Sequence, residues 1–323
     1  MDFFTKTEKD ILLSADQIIV GFSGGADSTL LLHKTFNFLT ESNSDNKLLA
    51  LHINHQAQPE SNAWEEHCQK FCQDRKIHIQ AEKVEITIKG EGFEAAARSA
   101  RLAVFNSFDK NAVIVLGHHL DDQIETILFR IFRGTGMKGL SGIKRQSILG
   151  SKVVLRPLFN LTKKEIIELL DQERLNYITD ESNQDNSFSR NYLRNTVIPK
   201  IYEKWPGAKK NISRMANILR KQNILYESYL EAVLEKVSDE DGLKLDELKN
   251  LDYFERAELI RIWLDKQSFS TPNESQMKEI EKSFFQSRQE SNPVIKFQRE
   301  DAQRLGVILT KTNNYLIAEE INE

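Results

Sequence analysis

The sequence has few of the features that mark secreted, membrane-spanning or disulfide-stabilised proteins. Its 323 residues contain two cysteines, Cys68 and Cys72, which are too few for a disulfide framework or a Cys₄ zinc site. No apolar run approaches the roughly 18 residues that a bilayer crossing needs. Residues 1–8 lack a basic flank followed by an apolar stretch. The sequence therefore predicts a cytoplasmic protein with no signal peptide and no membrane association.

What is present is the composition of a globular protein. Hydrophobic residues make up 40% and charged residues 28%, which argues against a disordered or fibrous chain. At roughly 150 residues per domain, the length predicts about two domains. Cys68 and Cys72 lie one helical turn apart, so we interpret them as small apolar residues on a helix face, with a redox pair as the alternative.

Charge is distributed unevenly along the chain. The net charge of −4 excludes a protein that is strongly basic throughout. However, residues 127–160 carry seven basic and no acidic side chains, and residues 186–221 carry nine basic side chains against one acid. The following stretch, 222–260, has a net charge of −7. Two basic blocks fit a localised site for a polyanion, although charge counting alone favours two solvated helix faces.

The first half of the sequence alternates between short apolar runs and helical patterns. Such alternation predicts an α/β fold with a doubly wound, mainly parallel sheet, in which ligands bind beyond the C-terminal ends of the strands. The predicted strands are 17–22, 47–53, 83–86 and 112–117, and the predicted helices are 27–39, 60–75, 93–108 and 120–133.

The pattern changes in the second half. Residues 207–237 read as one long helix, and further helical patterns lie near 246–266 and 273–286. Short strand-like runs follow at 293–297, 305–309 and 315–317. We therefore predict a catalytic domain over 1–206, a connecting helix over 207–237 and a smaller α+β C-terminal domain over 238–323.

The sharpest local feature is a glycine-containing loop, Ser23-Gly24-Gly25-Ala26-Asp27-Ser28, between the first strand and its helix. Glycines permit a tight turn of outward-facing N–H groups, and the helix N-terminus adds partial positive charge, so the loop suits a pyrophosphate. Asp27 would repel a bare phosphate, and makes sense if it holds Mg²⁺ or faces a reacting centre. An ordinary N-capped strand–helix turn is the alternative.

The remaining glycine positions do not fit two common nucleotide-binding motifs. The sequence GxxxxGK[ST] of the Walker A motif does not occur. Residues 134–139, GTGMKG, match GxGxxG, but they follow a helix and no acidic residue comes about 20 positions later. We interpret this stretch as a flexible basic loop.

A second polar segment, residues 117–126, follows the strongest predicted strand. Asp122 and Glu125 are three residues apart and share a helix face, so they could bind a small cation. A structural role for Asp121 and Asp122 at a helix N-terminus is the alternative. Catalytic zinc is disfavoured because no third ligand has convincing spacing.

Arginines and histidines near the same crevice are further candidates. Arg98 and Arg101 lie on one side of an alanine-rich helix, where an arginine could contact a phosphate or simply lie on a solvated face. His52 and His55 end the second strand. Each is more often structural than a ligand, and we place His52 among the predicted ATP-binding residues.

Together these residues resemble a known family. SGGADS is similar to the loop of the PP-loop ATP pyrophosphatases, whose fold is that of the adenine nucleotide α-hydrolases. Within that superfamily the chain resembles the tRNA(Ile)-lysidine synthetases (synthases) in four further segments. These are EAAARSARLAVF (94–105), GHHLDDQIETILFRIFRGTGMKGLSGI (117–143), RPLFNLTKKEI (156–166) and DESNQDNSFSRNYLRNTVIPKI (180–201). The departures include Asn54, where an acid is usual, and Lys163, where Arg is usual.

The resemblance implies a carbon–nitrogen ligase. ATP and Mg²⁺ bind at the PP-loop, the carbon-2 oxygen of the wobble cytidine in a CAU anticodon attacks the α-phosphate, and pyrophosphate leaves. The ε-amine of free lysine then displaces AMP, and lysidine forms. Another PP-loop tRNA-modifying enzyme, such as a thiolase, is the alternative, although a lone CxxxC is not its usual cysteine pattern.

The resemblance, the phosphate loop and the basic blocks together predict roles for individual residues. ATP is expected at residues 23–28, Mg²⁺ at Asp27 and lysine at Asp122 and Glu125. The predicted catalytic residues are Asp27, Arg98, Asp122 and Glu125. The predicted tRNA contacts are Arg130, Arg133, Lys138, Arg190, Arg194, Lys209 and Lys210, together with the C-terminal domain. The chain is shorter than the long members of the family, so we expect their second C-terminal domain to be absent. The sequence leaves open whether the protein is a homodimer.

Overall fold

The computed structural model describes residues 3–56, 59–84, 93–286, 292–298 and 304–321. The chain divides into two compact units, Met1–Arg220 and Lys221–Glu323. The division falls inside one helix, α10 (Ala208–Val237), at the place where the sequence predicts a connecting helix. Each unit has a hydrophobic core of its own.

The described part of the first unit contains a six-stranded sheet. Its strand order is β3-β2-β1-β4-β6-β5, and all neighbouring strands are parallel except β5 and β6. The strands are β1 (Gln17–Gly21), β2 (Leu48–Asn54), β3 (His78–Lys83), β4 (Ala112–Val115), β5 (Gln146–Leu149) and β6 (Lys152–Leu155).

Helices cover both faces of this sheet. Ile18 and Val20 of β1 belong to the core cluster that includes Leu31, whereas Ile19 belongs to the cluster that includes Phe105. Successive side chains of a strand point to opposite faces, so a strand buried on both faces is apolar throughout. The helices of this unit are α1 (Lys6–Ser14), α2 (Ala26–Glu41), α3 (Ser61–Gln73), α4 (Phe93–Asn106), α5 (Leu120–Phe132), α6 (Met137–Leu140), α7 (Lys163–Gln172), α8 (Ser189–Tyr192) and α9 (Ile198–Lys204).

The strand order determines where a ligand can bind. The chain moves outward from β1 to β2 and β3, and then returns to place β4 on the other side of β1. The connections that leave β1 and β4 therefore diverge, and a crevice opens beyond the C-terminal ends of these two strands. The glycine loop follows β1, and the His-His-Asp-Asp segment follows β4, so the sheet brings the two most informative sequence motifs to one crevice.

The predicted α/β class with a mainly parallel sheet is confirmed, but individual elements differ. The strand predicted over 83–86 was wrong in position, because β3 spans His78–Lys83. Residues 85–86 lie outside the described residues. The prediction also lacked α1, β5 and β6. β5 and β6 are short, and their mixed polar and apolar composition gives a weak periodic signal.

The second unit is an α+β structure. Its described part contains an antiparallel sheet of order β7-β8-β11-β10-β9, and Leu243, Leu309 and Leu316 from this sheet lie in the unit's core. Its elements are β7 (Ser238–Asp239), β8 (Gly242–Lys244), α11 (Leu245–Lys249), α12 (Tyr253–Lys266), α13 (Glu274–Ile280), β9 (Ile295–Phe297), β10 (Val307–Thr312) and β11 (Tyr315–Glu320).

The sequence predictions about the cysteines and about membrane-spanning helices can be compared with the structure. Cys68 and Cys72 are buried, unpaired thiols in the first unit's core, as expected for small apolar residues. Burial raises the pKa of each thiol to about 12, so neither is a reactive thiolate. Among the described helices, none combines the length and the apolar character that a membrane crossing requires.

An ion pair joins α1 to the segment that precedes β5. Both oxygens of the buried Glu8 carboxylate accept hydrogen bonds of 2.8 Å from Arg145. Glu8 also accepts a 2.9 Å bond from the backbone N–H of Thr5, which caps the helix. Burial opposes ionisation of Glu8, but Arg145 and Thr5 hold its pKa below the ordinary value. The pair therefore stabilises the charged carboxylate.

We predict that Glu8→Gln lowers the free energy of unfolding by roughly 1.5–3 kcal/mol at pH 7, because charge-assisted bonds are lost. The contribution of a carboxylate with a lowered folded pKa is present above its unfolded pKa and is lost as pH falls through the folded value. Urea denaturation at pH 7 and at pH 3 measures this effect, and the difference between the proteins should shrink at pH 3. Glu41→Gln, at an exposed site, is the control; an equal loss in both variants would contradict the prediction.

Candidate active site

The glycine loop forms an outward-facing turn between β1 and α2. Gly24 has φ +80°, and its carbonyl accepts hydrogen bonds from Ile178 N (2.8 Å) and Thr29 Oγ1 (3.1 Å). Gly25 is the N-cap residue of α2 and has no side chain to cap it, so the first N–H groups of the helix are not used by a capping side chain. Such N–H groups and the positive end of the helix dipole favour an anion.

Two serines stabilise the loop from inside. Ser28 Oγ donates to Gly25 O at 3.0 Å, accepts from Ser23 N at 3.2 Å and lies 3.1 Å from Ser23 Oγ. The serines therefore hold the shape of the loop in addition to any contact with a ligand. Loop residues Ser23, Asp27 and Ser28 line a cavity.

A second glycine permits the β4 segment to approach this loop. A Cβ atom on Gly117 would lie 3.3 Å from the backbone carbon of Asp27 and 3.4 Å from Ser28 N. These contacts are with backbone and Cβ atoms, which cannot move aside easily. Gly117 therefore brings the His118–His119 segment against the PP-loop.

His119 connects the two motifs. It caps α5: its Nδ1 accepts from Asp121 N (3.2 Å), and its own N–H donates to Asp122 Oδ2 (3.0 Å). Its Nε2 lies 3.6 Å from Asp27 Oδ1 and 3.5 Å from Asp122 Oδ2. Burial opposes ionisation of Asp122, but its interactions with His119 hold the pKa of Asp122 below its ordinary value. Asp27 and Asp122 therefore both approach His119 Nε2.

Glu125 is almost completely buried, one helical turn into α5, and two arginines neutralise it. Arg194 binds its two oxygens at 2.6 and 2.8 Å, and Arg190 Nε binds Oε2 at 3.3 Å. Arg194 also reaches Asp122 Oδ1 at 3.5 Å. The arginines come from α8 and from the π-helical turn Leu193–Val197 that continues it. Turns of this kind are frequent at functional sites.

Two cavities of the first unit meet at this cluster. The first, of about 300 Å³, lies beyond β1 and β4 and is lined by loop residues, Asp122, His55, His118 and Arg101, among others. Nδ1 of His55 and Nδ1 of His118 are buried and have no partner among the described residues. Burial lowers the pKa of His118 to about 4, so its ring is neutral near pH 7.

The second cavity, of about 330 Å³, lies between α5, α7 and α9. It is lined by Asp27, Asp121, Glu125, Lys163, Arg194, His119, Ile198, Pro199 and Tyr202. Apart from His119, three carboxylates face two cations on this wall, so acidic side chains outnumber Lys163 and Arg194 by one. Asp27 lines both cavities. Lys163 Nζ donates to both oxygens of Asp27, at 2.8 and 2.9 Å.

The structure places some predicted site residues elsewhere. His52, predicted to bind ATP, is buried, and its Nδ1 lies 3.0 Å from Phe22 O. Strand alternation is the reason: Leu51 and Ile53 of β2 line the first cavity, whereas His52 between them points to the opposite face. His55, just beyond the strand, lines the cavity instead. This placement argues against a direct contact between His52 and ATP.

The predicted catalytic arginine, Arg98, also lies away from the two cavities. Arg98 is exposed and does not line either cavity, whereas Arg101, three residues later on α4, lines the first. Both arginines were candidates from the sequence, and helical spacing could not separate them. Lys163 and Tyr202 were missed because each joins the site through a tertiary contact that sequence spacing does not reveal.

The predicted tRNA contacts fall into three groups. Arg190, Arg194 and Lys209 bind site carboxylates, Lys209 with Asp121 at 2.5 Å, which argues against their serving mainly as phosphate contacts. Arg130 donates to the carbonyls of Gly139 and Gly142, so it supports the loop after α5. Arg133, Lys138 and Lys210 are exposed and remain predicted phosphate contacts.

The side chains at this crevice fit a cation that is bound jointly by protein and phosphate groups better than a metal ion that is bound by protein ligands alone. Among the described residues, no group of three or more His, Cys, Asp or Glu side chains is arranged to hold a metal ion. Mg²⁺ commonly takes one or two carboxylates and completes its shell with phosphates and water. Asp27, which faces the glycine loop, fits that pattern.

Comparison with known proteins agrees with this geometry. The PP-loop domain family matches residues 3–201. A tRNA(Ile)-lysidine synthase from Photorhabdus laumondii is 33% identical over 290 residues, which are 89% of this chain and 66% of the relative. Another, from Haemophilus influenzae (strain 86-028NP), is 32% identical over 91% of this chain and 69% of the relative. The chain belongs to the tRNA(Ile)-lysidine synthase family.

The similarity covers only part of the relatives and of the solved structures. The chain spans 66% of the length of the Photorhabdus laumondii relative and 59% of a tRNA(Ile)-lysidine synthase from Legionella pneumophila (strain Paris). Among solved structures, the U34-tRNA thiolase NcsA from Methanococcus maripaludis matches with a TM-score of 0.50 and 18% identity, over 66% of this chain and 77% of that chain. This second likeness concerns the fold alone.

We predict that Gly24→Ala weakens ATP binding about tenfold or more. An alanine at φ +80° is strained by roughly 1–2 kcal/mol, and its Cβ would lie 2.6 Å from Ile178 Cδ1. Isothermal titration calorimetry with ATP measures the change. Gly134→Ala is the matched control, because Gly134 also has a positive φ (+68°) but open space around it. Equal effects in the two variants would show that the packing against Ile178 is irrelevant to ATP binding.

Proposed function

We propose that this protein ligates free lysine to carbon-2 of the wobble cytidine of a CAU-anticodon isoleucine tRNA. The reaction consumes ATP, passes through an adenylated cytidine and releases pyrophosphate and AMP, and we place it in the cytoplasm. The observation that carries the proposal is the pair of cavities that share Asp27 in a chain of this family. One cavity suits a nucleotide, and the other suits a cationic amino acid.

The first cavity supports ATP binding. The glycine loop and the N-terminus of α2 would hold the phosphates. Arg101 on the cavity wall would stabilise the charge that develops as pyrophosphate leaves. The neutral rings of His55 and His118 offer polar nitrogen atoms without adding charge. The cytidine oxygen attacks the α-phosphorus, and the bond to pyrophosphate breaks.

Mg²⁺ fits this site through Asp27. When bound, it would neutralise charge on the phosphates of ATP and of the leaving pyrophosphate. Lys163 holds both oxygens of Asp27, so this ion pair must loosen when Asp27 takes the cation. The freed ammonium group would lie close to the phosphates. Lys163 therefore serves as a counter-charge to Asp27 before ATP binds.

The second cavity supports lysine binding through its charge. Its wall carries three carboxylates against Lys163 and Arg194, which complements a molecule that carries two positive groups and one negative group. The carboxylate of Glu125 would accept hydrogen bonds from the ε-ammonium group, and Arg194 would pair with the carboxylate of lysine. Tyr202 lines the same cavity, and its hydroxyl has no partner among the described residues, so it can donate to that carboxylate.

Lysine must lose a proton before it can attack. Glu125 or Asp122 can take up the proton from the ε-amine as the new C–N bond forms, and the bond to AMP then breaks. Arginine is effectively never deprotonated, so it should fail as a nucleophile even if it binds. The arginines on Glu125 would shift as lysine enters, because they occupy the same oxygens.

A thiolase reaction is the alternative, and the cysteines argue against it. Both are buried in the core, and burial raises the pKa of each thiol to about 12. Neither lines the two cavities. Sulfur transfer by a cysteine requires an accessible thiolate.

The first test is the product itself. Purified protein with ATP, Mg²⁺, lysine and a CAU-anticodon isoleucine tRNA transcript should add one lysyl group to the wobble cytidine. Mass spectrometry of nuclease-digested tRNA measures this addition. Omitting lysine should leave tRNA-dependent pyrophosphate release intact, since adenylation precedes lysine transfer. A sulfur-containing nucleoside, or no modified nucleoside, would overturn the proposal.

The second test concerns the carboxylates. We expect Glu125→Gln to raise the KM for lysine roughly 10- to 100-fold, because one or more charge-assisted bonds are lost. Asp122→Asn should impair lysine transfer more than it impairs adenylation. Both variants should retain tRNA-dependent pyrophosphate release.

The matched control is Glu168→Gln, on the exposed side of α7, which should behave as the wild type does. The informative comparison is between pyrophosphate release and lysine incorporation for each variant. Loss of pyrophosphate release with an unchanged lysine KM in Glu125→Gln would move Glu125 to the ATP site and refute the lysine assignment; Asp122 already lines the first cavity.

A further inference from the structure

A third cavity of the first unit, which we call the aromatic groove, takes no part in the chemistry described above. It has a volume of about 460 Å³. Its wall is formed by Phe129, Phe132 and Arg133 of α5 and by Asn186, Ser187, Ser189, Tyr192, Leu193 and Val197 of the segment around α8. Among the residues that the structure describes, no carboxylate lines it.

The rings of this groove are unusually accessible. Phe132 is 68% exposed and Tyr192 is 49% exposed. The guanidinium group of Arg133 lies over the Phe129 ring, 4.2 Å from its centre. Among the described residues, no ring–ring contact joins Phe129, Phe132 and Tyr192. The exposed faces of Phe132 and Tyr192 are therefore available to a flat ligand.

The charge around the groove indicates what that ligand is. One wall belongs to the basic stretch 127–160, which has no acidic residue, and the other belongs to the stretch 186–221, which has a net charge of +8. Flat apolar surfaces beside cations, with amide and hydroxyl groups between them, are the surfaces that bind unpaired RNA bases.

The groove is also built on the elements that carry the reaction. Glu125 and Phe129 are four residues apart on α5, which is about 6 Å of rise, and Phe132 and Arg133 continue the same face. On the other wall, Tyr192 and Leu193 lie between Arg190 and Arg194, the two arginines that bind Glu125. A base held in the groove would therefore be one or two helical turns from the predicted lysine pocket.

We propose that the aromatic groove binds unpaired nucleotides of the anticodon loop that neighbour the target cytidine, by stacking on Phe132 and Tyr192. The inference rests on the proposed function and adds a location for the loop. Stacking in the groove holds the neighbouring bases away from the loop, so the cytidine is free to enter the crevice. Arg133 contributes charge and a planar face for the same nucleotides.

The test uses the full chain and anticodon stem–loop RNAs of the isoleucine tRNA, with 2-aminopurine replacing each unpaired loop base except the target cytidine in turn. We expect wild-type protein to change the fluorescence at one or more positions. Phe132→Ala and Tyr192→Ala should abolish that change and raise the Kd about tenfold, since stacking on one ring is worth roughly 5- to 150-fold in affinity.

Two controls separate stacking from other contacts. Phe132→Leu keeps an apolar side chain without an aromatic face, so it should behave like Phe132→Ala. Ile148→Ala changes an apolar residue that is similarly exposed, at 65%, but outside the groove, so it should bind as the wild type does. The salt dependence of Kd should be unchanged in the ring variants, because loss of a phosphate contact would reduce the slope by about one unit.

The outcomes distinguish this inference from the proposed function. Wild-type protein that neither binds the RNA nor modifies the tRNA would refute the proposed function. Wild-type binding that all groove variants retain, or that Phe132→Leu retains, would overturn the groove assignment alone. Analytical ultracentrifugation measures whether the chain associates with itself. A groove variant that loses self-association while it keeps the fluorescence change would show that the groove joins two copies of the chain.

Discussion

The approach of Gly117 to Asp27 and Ser28 is the contact on which the site depends. It is possible because β1 and β4 are adjacent and parallel, so that the segments following them meet at one edge of the sheet. A side chain at Gly117 would press on backbone atoms of the glycine loop and shift the two motifs apart by a few tenths of an ångström. The sheet order thus determines that Asp27, His119 and Asp122 face one another.

Charge balance is the second organising constraint. Glu125 is buried, and a buried carboxylate is costly unless it is paired. Arg190 and Arg194 supply that pairing from a helix interrupted by a π-helical turn, and Lys163 does the same for Asp27. The same carboxylates are the ones that a cationic amino acid and Mg²⁺ would need. Each ligand would therefore exchange one positive partner for another instead of exposing an unpaired charge.

Much of the fold followed from periodicity. β1, β2 and β4, together with α2, α3 and α5, lie where apolar patterns predict them, because strands buried on both faces and amphipathic helices leave clear periods. β5 and β6 were not predicted, since short strands of mixed composition leave no clear period. The PP-loop and the Asp122–Glu125 pair were also visible in the sequence, because a tight phosphate-binding turn and a shared helix face are local properties.

The amino-acid sequence by itself determined the fold class, the family and the local motifs, because each depends on residues close together along the chain. Only the tertiary structure decided which side chain of each candidate pair faces the crevice. It placed His55 and Arg101 on the cavity wall in preference to His52 and Arg98, because strand and helix faces are assigned by packing. It also decided that Arg190 and Arg194 pair with Glu125, because a buried carboxylate requires cationic partners and these can come from a distant part of the sequence.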